Sequence, residues 1–258
     1  MNLTRLVQKG LARRGFELKR SAEPAYVDAS AIGTAEALIE GHTMLSHTRL
    51  VSLADQIVWC NRTGLEGAFV ECGVWKGGAV ALMAYMSKRS GREDRPLHLF
   101  DAFQDICPPD PAVDGEKALR ETERFGSFEQ GALKPLSGIY DSMGGHGTTE
   151  ACREVIGKTG YPAQNVHFHV GWFQDTVFEA AKTLGPIALL RLDGDWYEST
   201  KVCLEAFYDL VVEGGFVIFD DYLTYEGCKK AVDEFFQTRG IDPFLIRADT
   251  SCYYVIKT

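Results

Sequence analysis

The chain has 258 residues, 45% hydrophobic and 24% charged, enough for one large α/β domain and too few for two with lids. A net charge of −9 argues against a nucleic-acid partner, and no apolar run approaches the length that spans a bilayer. Seven scattered cysteines with no Cys-x-x-Cys pair, and a start that lacks a signal-peptide core, lead us to expect reduced thiols and a cytoplasmic protein.

Residues 1 to about 30 read as a basic, weakly amphipathic lead-in. Helical text follows from about Gly33 to Asn61, with a bend near His42 to Ser46, so that residues 1–65 form an N-terminal helical cap. The remainder, 66–258, is expected to be a Rossmann-like core within the same single domain. Its first strand ends in Glu71-Cys72-Gly73, and Gly77-Gly78 open a helix from about Ala79 to Arg89. Gly73 allows a tight turn, and Gly77 lets a ligand approach the helix amino end. The spacing is not the GxGxxG of dinucleotide sites. An acid at Glu71 would repel a pyrophosphate but suits a cationic amino-acid end, which favours S-adenosylmethionine over NAD.

A second strand, Pro96 to Phe100, exits at Asp101, placed to accept hydrogen bonds from a ribose. From about 102 to 147 the periodicity fades into a Pro- and Gly-rich connection with one charged helical piece near Asp114 to Arg124, read as a lid over the ligand edge. Thr148 to Lys158 is a helix with Thr149 as its cap, followed by the strand Val166 to Val170. His167 and His169 share a face of that strand, and with no third nitrogen or sulfur ligand nearby they read as packing residues. His42 and His47 also read as non-catalytic, whereas His146 stays a candidate because the lid should face the substrate. Trp172, just past the strand, is placed to cover an adenine ring or to pack in the core.

The stretch from Gly185 to Tyr222 organises the chain. An apolar strand runs into Arg191-Leu192-Asp193-Gly194-Asp195, a helix spans roughly Glu198 to Val212, and a second strand, Phe216 to Phe219, ends in Asp220-Asp221. A strand–helix–strand unit of this length makes parallel, adjacent strands whose exits share one edge. Four carboxylates on neighbouring exits repel one another unless a cation or shared protons compensate, and an oxygen-only set suits a hard divalent ion. After a helix from Glu226 to Arg239, two last strands near Pro243 to Ile246 and Cys252 to Ile256 form an antiparallel hairpin. The expected fold is therefore α/β, a seven-stranded, mostly parallel sheet with an antiparallel last strand and helices on both faces, typical of class I methyltransferases.

Four motifs, Phe69-Val70-Glu71-Cys72-Gly73-Val74-Trp75-Lys76-Gly77-Gly78, Gly171-Trp172-Phe173-Gln174-Asp175-Thr176, Leu192-Asp193-Gly194-Asp195-Trp196-Tyr197-Glu198-Ser199-Thr200 and Phe219-Asp220-Asp221-Tyr222, together resemble the macrocin O-methyltransferase family. These are metal-dependent sugar O-methyltransferases of antibiotic biosynthesis, and the resemblance runs from about Thr43 to the end. It implies that Glu71, Gly73 and Asp101 hold S-adenosylmethionine, with Gly77, Trp172 and Asp193 bordering it. It also implies that Asp193, Asp220 and Asp221 bind Mg²⁺ and that Asp195 is the general base. The acceptor is then a small molecule, and a homodimer or larger assembly is expected. Asp101-Ala102-Phe103-Gln104-Asp105 departs from the family's Asp-Ser-Phe-Glu-Gly at the second strand's exit. A catechol-type enzyme acting on a phenol, an NAD-binding oxidoreductase and a non-catalytic nucleotide-binding module remain as alternatives at this point.

Overall fold

The computed structural model describes residues 29–126 and 133–258, so most of the basic lead-in lies outside the described residues. The expected bent helix is two helices, α1 (Ala29–Ile39) and α2 (His47–Thr63). The break has a local cause. Ser46 caps α2 by accepting from the Arg49 amide at 3.3 Å, and Gly64 ends it in the left-handed conformation.

The core then alternates β1 (Ala68–Cys72), α3 (Gly78–Arg89), β2 (Leu97–Asp101), α4 (Gly115–Thr122), α5 (Thr149–Lys158), β3 (Val166–Val170), α6 (Phe173–Leu184), β4 (Ile187–Leu192), α7 (Tyr197–Phe207), β5 (Val211–Phe219), α8 (Glu226–Arg239), β6 (Ile246–Arg247) and β7 (Tyr253–Ile256). The sheet order is β3-β2-β1-β4-β5-β7-β6, with β7 antiparallel to both of its neighbours. Every residue of β1 and β4 is buried, because helices cover both faces of the sheet. Phe69 and Leu189 face the layer of α1, α2, α3 and α5, while Val70 and Leu190 face the layer of α6, α7 and α8. The chain runs outward through β1, β2 and β3, then returns to β4. Strand order therefore reverses between β1 and β4, and a crevice opens beyond their carboxyl ends.

Three local expectations change. The helix expected to reach Val212 ends at Phe207, and β5 starts at Val211 rather than Phe216. The chain beyond β7 is responsible. The Gly214 amide donates to the Lys257 carbonyl at 2.7 Å and Lys257 donates back to Gly215 at 2.8 Å, which draws the glycine pair into the ladder. Thr148, not Thr149, caps α5, accepting from the Ala151 amide at 3.1 Å. Among the described residues no helix is long and apolar enough to cross a membrane.

Candidate active site

The carboxyl edges of β1, β2 and β4 and the segment between β2 and α5 enclose a cleft of about 450 Å³. On the β1 side its floor depends on Gly73. That residue has φ 88, and a Cβ there would stand 1.8 Å from the Asp193 carbonyl oxygen. Only glycine lets the first loop cross the exit of β4 this closely. Among the described residues three non-glycines have positive φ, namely Trp75 (46), Phe103 (52) and Asp195 (57), and all lie in loops that leave β1, β2 and β4 at this edge. Such backbone costs about 1–3 kcal/mol per residue and collects at functional sites.

Asp101 shapes the cleft as well as lining it. Its Oδ2 accepts from the amides of Val74 at 2.7 Å and Trp75 at 3.0 Å, and its Oδ1 accepts from Phe103 at 2.6 Å. Burial pushes this carboxyl up and the three amides hold it down, with burial the stronger. Three of roughly four lone-pair positions are then used, leaving one for a ligand hydroxyl.

Of the residues singled out in the sequence, Gly73, Asp101, Trp172, Asp193 and Asp195 border the cleft, whereas Glu71, Gly77, Asp220 and Asp221 do not. Glu71 is 1% exposed and paired with Arg191. Gly77 abuts Cys152 of α5, whose atoms would lie 3.0 Å from a Cβ added there.

One oxygen from each of Asp193, Asp195 and Asp221 lies within 4.8 Å of the others. Burial first, then mutual repulsion, raises Asp195 and Asp221 well above the usual carboxylate range. Asp193 is raised less, because the Arg191 guanidinium opposes its burial. Asp221 Oδ2 is buried with no hydrogen-bond partner. Asp220 is the aspartate set apart. Its Oδ2 is held by Arg49 of α2, and its Oδ1 lies 2.7 Å from Arg191 Nη2. Arg49 is in turn fixed by Asp249 at 2.7 Å and by Ser251.

The connection read as a lid is docked onto the site where it is described. Trp196 Nε1 donates to the Cys107 carbonyl at 2.8 Å, the Tyr197 amide to Asp114 Oδ1 at 2.7 Å, and Tyr225 Oη to Glu121 Oε2 at 2.8 Å. Farther along, the Gly138 amide donates to Asp105 Oδ2 at 2.8 Å, and Lys76 Nζ reaches the Met143 carbonyl at 2.7 Å. These bonds bring Tyr140 and Tyr225 into the cleft wall. Burial raises both phenols, and the charge of Asp195 adds to the rise in each.

Sequence reasoning missed both tyrosines and the two arginines. The tyrosines carry no local signal. Arg191 does carry one, since a charged residue inside a strand buried on both faces requires a counter-charge.

The histidine reading needs one correction. A third imidazole, His98 of β2, stands beside His167 and His169, with His98 Nδ1 3.0 Å from His169 Nε2. The rings stack at 24° and 19°, so their in-plane lone pairs run side by side instead of converging on a point. The packing reading rested on there being no third nitrogen nearby, and His98 supplies one. His47 pairs with Glu36 at 2.6 Å, and His146 lies 3.9 Å from Asp105.

The family model for Macrocin-O-methyltransferase (TylF) matches residues 17–130 and 148–257. The gap between the two matched parts falls on the cleft wall that carries Tyr140. The chain is 32% identical over 217 residues to demethyldecarbamoylnovobiocin O-methyltransferase of Streptomyces niveus, covering 84% of this chain and 76% of that protein. It is 34% identical over 211 residues, 78% of this chain and 70% of the other, to a tetracenomycin-C rhamnosyl 4'-O-methyltransferase of Streptomyces olivaceus. The solved structure of the O-methyltransferase NovP superposes with a TM-score of 0.69 at 30% identity, covering 87% of this chain and 88% of that one. With the reversal of strand order, the glycine turn and the carboxylate group all at one edge, the chain belongs to the macrocin-O-methyltransferase family and is an O-methyltransferase.

Proposed function

We propose that the protein moves the methyl group of S-adenosylmethionine to a hydroxyl of a sugar or another polyhydroxylated natural product, assisted by Mg²⁺. The observation that carries this reading is the group of Asp193, Asp195 and Asp221 beside the Gly73 turn. A cofactor with a ribose and an amino-acid end fits Asp101, the Gly73 backbone and the Trp172 ring. The similar proteins named above are, by their names, methyltransferases of natural products, one of them acting on a rhamnosyl group.

A divalent ion fits the carboxylates. All their donors are oxygen, their repulsion calls for a positive charge, and Asp221 Oδ2 is a buried acceptor with nothing to accept from. Asp193 and Asp221 would hold it, and Asp220, the third ligand the resemblance implies, stands behind them between two guanidiniums. When bound, Mg²⁺ would supply Lewis acidity that makes the acceptor hydroxyl easier to deprotonate.

Asp195 takes the proton. It lines the cleft together with Tyr140 and Tyr225, the wall against which an acceptor would lie. Burial and its neighbours raise its basicity, which a general base for a hydroxyl needs. As the O–H proton passes to Asp195, the oxygen forms a bond to the methyl carbon. The sulfur–carbon bond breaks, and the sulfur keeps its electron pair. The docked lid with Tyr140, and Tyr225 beside it, keep water from the reacting atoms.

Titration of S-adenosylhomocysteine into the protein by calorimetry, with and without Mg²⁺, tests the class. Micromolar binding in both conditions is expected, and no binding in either would sink the reading.

A further inference from the structure

Arg191 is the buried charge to which none of these steps gives a task. Its side chain is 2% exposed. Nη1 donates to Glu71 Oε1 and to Asp193 Oδ2, the latter at 2.9 Å. Nη2 lies 2.7 Å from Asp220 Oδ1, a close ion pair whose angle falls short of a hydrogen bond. The three acids belong to β1, the exit of β4 and the exit of β5, which are neighbours in the sheet. Glu71 and Arg191 sit directly opposite each other in the β1–β4 register and therefore share a face.

We infer that Arg191 is a positioning residue that aligns the carboxylates across three strands, and that Glu71 acts through Arg191 instead of on the cofactor. This rests on the cation and cofactor parts of the proposed function. One guanidinium needs one counter-charge to be buried, and a second and third carboxylate on the same fork do more than neutralise it. A planar guanidinium dictates the direction from which each oxygen approaches, which an ammonium does not. Glu71 is 1% exposed and does not line the cleft; its Oε1 accepts from Arg191, and its Oε2 is buried without a partner. What Glu71 does is occupy Nη1 on the β1 side. Without it, that nitrogen turns wholly to Asp193 and draws its carboxylate out of the group with Asp195 and Asp221. Loss of an outer partner of this kind typically weakens metal binding by about 10- to 100-fold.

The test uses Mn²⁺ as the cation probe, and S-adenosylhomocysteine and 5′-methylthioadenosine as cofactor probes, all by calorimetry on the full chain. The last of these has no amino-acid end. Glu71→Met removes the acceptor at similar size, Glu71→Gln keeps an acceptor oxygen, and Arg191→Lys keeps the charge but loses the fork. Mn²⁺ affinity should fall about tenfold or more in Glu71→Met and Arg191→Lys and return in Glu71→Gln. S-adenosylhomocysteine affinity should stay level in Glu71→Gln, an outcome a direct contact does not allow. The inference is overturned if the unaltered protein binds Mn²⁺ and both weakened variants bind it equally well. It is also overturned if Glu71→Gln loses S-adenosylhomocysteine while keeping 5′-methylthioadenosine, for Glu71 then touches the amino-acid end. Should a variant fail to fold, that comparison of two cofactor probes on Glu71→Gln still decides. Failure of the unaltered protein to bind Mn²⁺ or S-adenosylhomocysteine is a separate result, and it takes the proposed function down together with this inference.

Discussion

Two clusters of like side chains sit on one sheet and behave in opposite ways. At the exits of β4 and β5 three carboxylates point single oxygens at one small volume beside the cleft. On β2 and β3 three imidazoles lie ring on ring, with His98 and His169 sharing a hydrogen bond. Burial moves the three carboxylates, and His98 and His169, toward their neutral forms. It raises Asp195 and Asp221, and with the neighbouring rings it pushes His98 down to about 3. The outcomes differ because the carboxylates converge and keep an unpaired oxygen, whereas the imidazoles stack and two of them share a hydrogen bond. Gathering titratable groups does not by itself make a site. Convergent lone pairs beside a cleft do.

The comparison breaks most sharply at Asp195. Asp195→Asn should cut turnover by roughly 10²- to 10⁴-fold while S-adenosylhomocysteine still binds, as measured by methyl transfer and calorimetry. A variant that turned over near the parent rate would remove Asp195 from its role as base. Next in size, Asp221→Asn should weaken Mn²⁺ by at least about tenfold, the loss of a direct ligand being no milder than that of an outer partner. His169→Gln should leave Mn²⁺ binding where it was, and an equal loss in both variants would erase the distinction between the clusters.

The imidazoles should show themselves in acid. His98 titrates near 6.5 when unfolded and near 3 in the fold, so below about pH 6.5 the unfolded chain binds the extra proton. Stability is then lost as pH falls, by about 1–2 kcal/mol between pH 7 and 5 from this group. Urea unfolding at the two pH values should give a shallower dependence for His98→Gln, and an unchanged slope would place the titration elsewhere. The smallest effect concerns the wall beside the carboxylates. Tyr225→Phe removes the bond to Glu121, worth about 1 kcal/mol, and should speed hydrogen exchange of the α4 amides roughly fivefold. Protection equal to the parent's would mean that this bond does not hold the helix down.

Much of the frame was legible from local pattern. Short apolar runs ending in Glu-x-Gly, Asp101, Asp193 and Asp220 announced parallel strands with their chemistry at one edge, because buried strands and their exits are written in consecutive residues. The boundaries that moved were those set by partners from afar, such as the start of β5 at Val211, drawn back by Lys257. The histidines were read without His98 because it lies 71 residues from His169 and meets it only through the β2–β3 register.

The sequence by itself determined the class of fold, the glycine turn and which aspartates stand at the strand exits. Strand period, turn chemistry and right-handed crossovers are local rules, and they place those residues without any knowledge of distant contacts. Only the tertiary structure decided what each acid faces. Arg191 meets Glu71 across 120 residues and Arg49 meets Asp220 across 171, and the lid brings Tyr140 into the cleft wall that Asp195 shares. Those pairings depend on how strands and helices distant in sequence register against one another, and no local period encodes that.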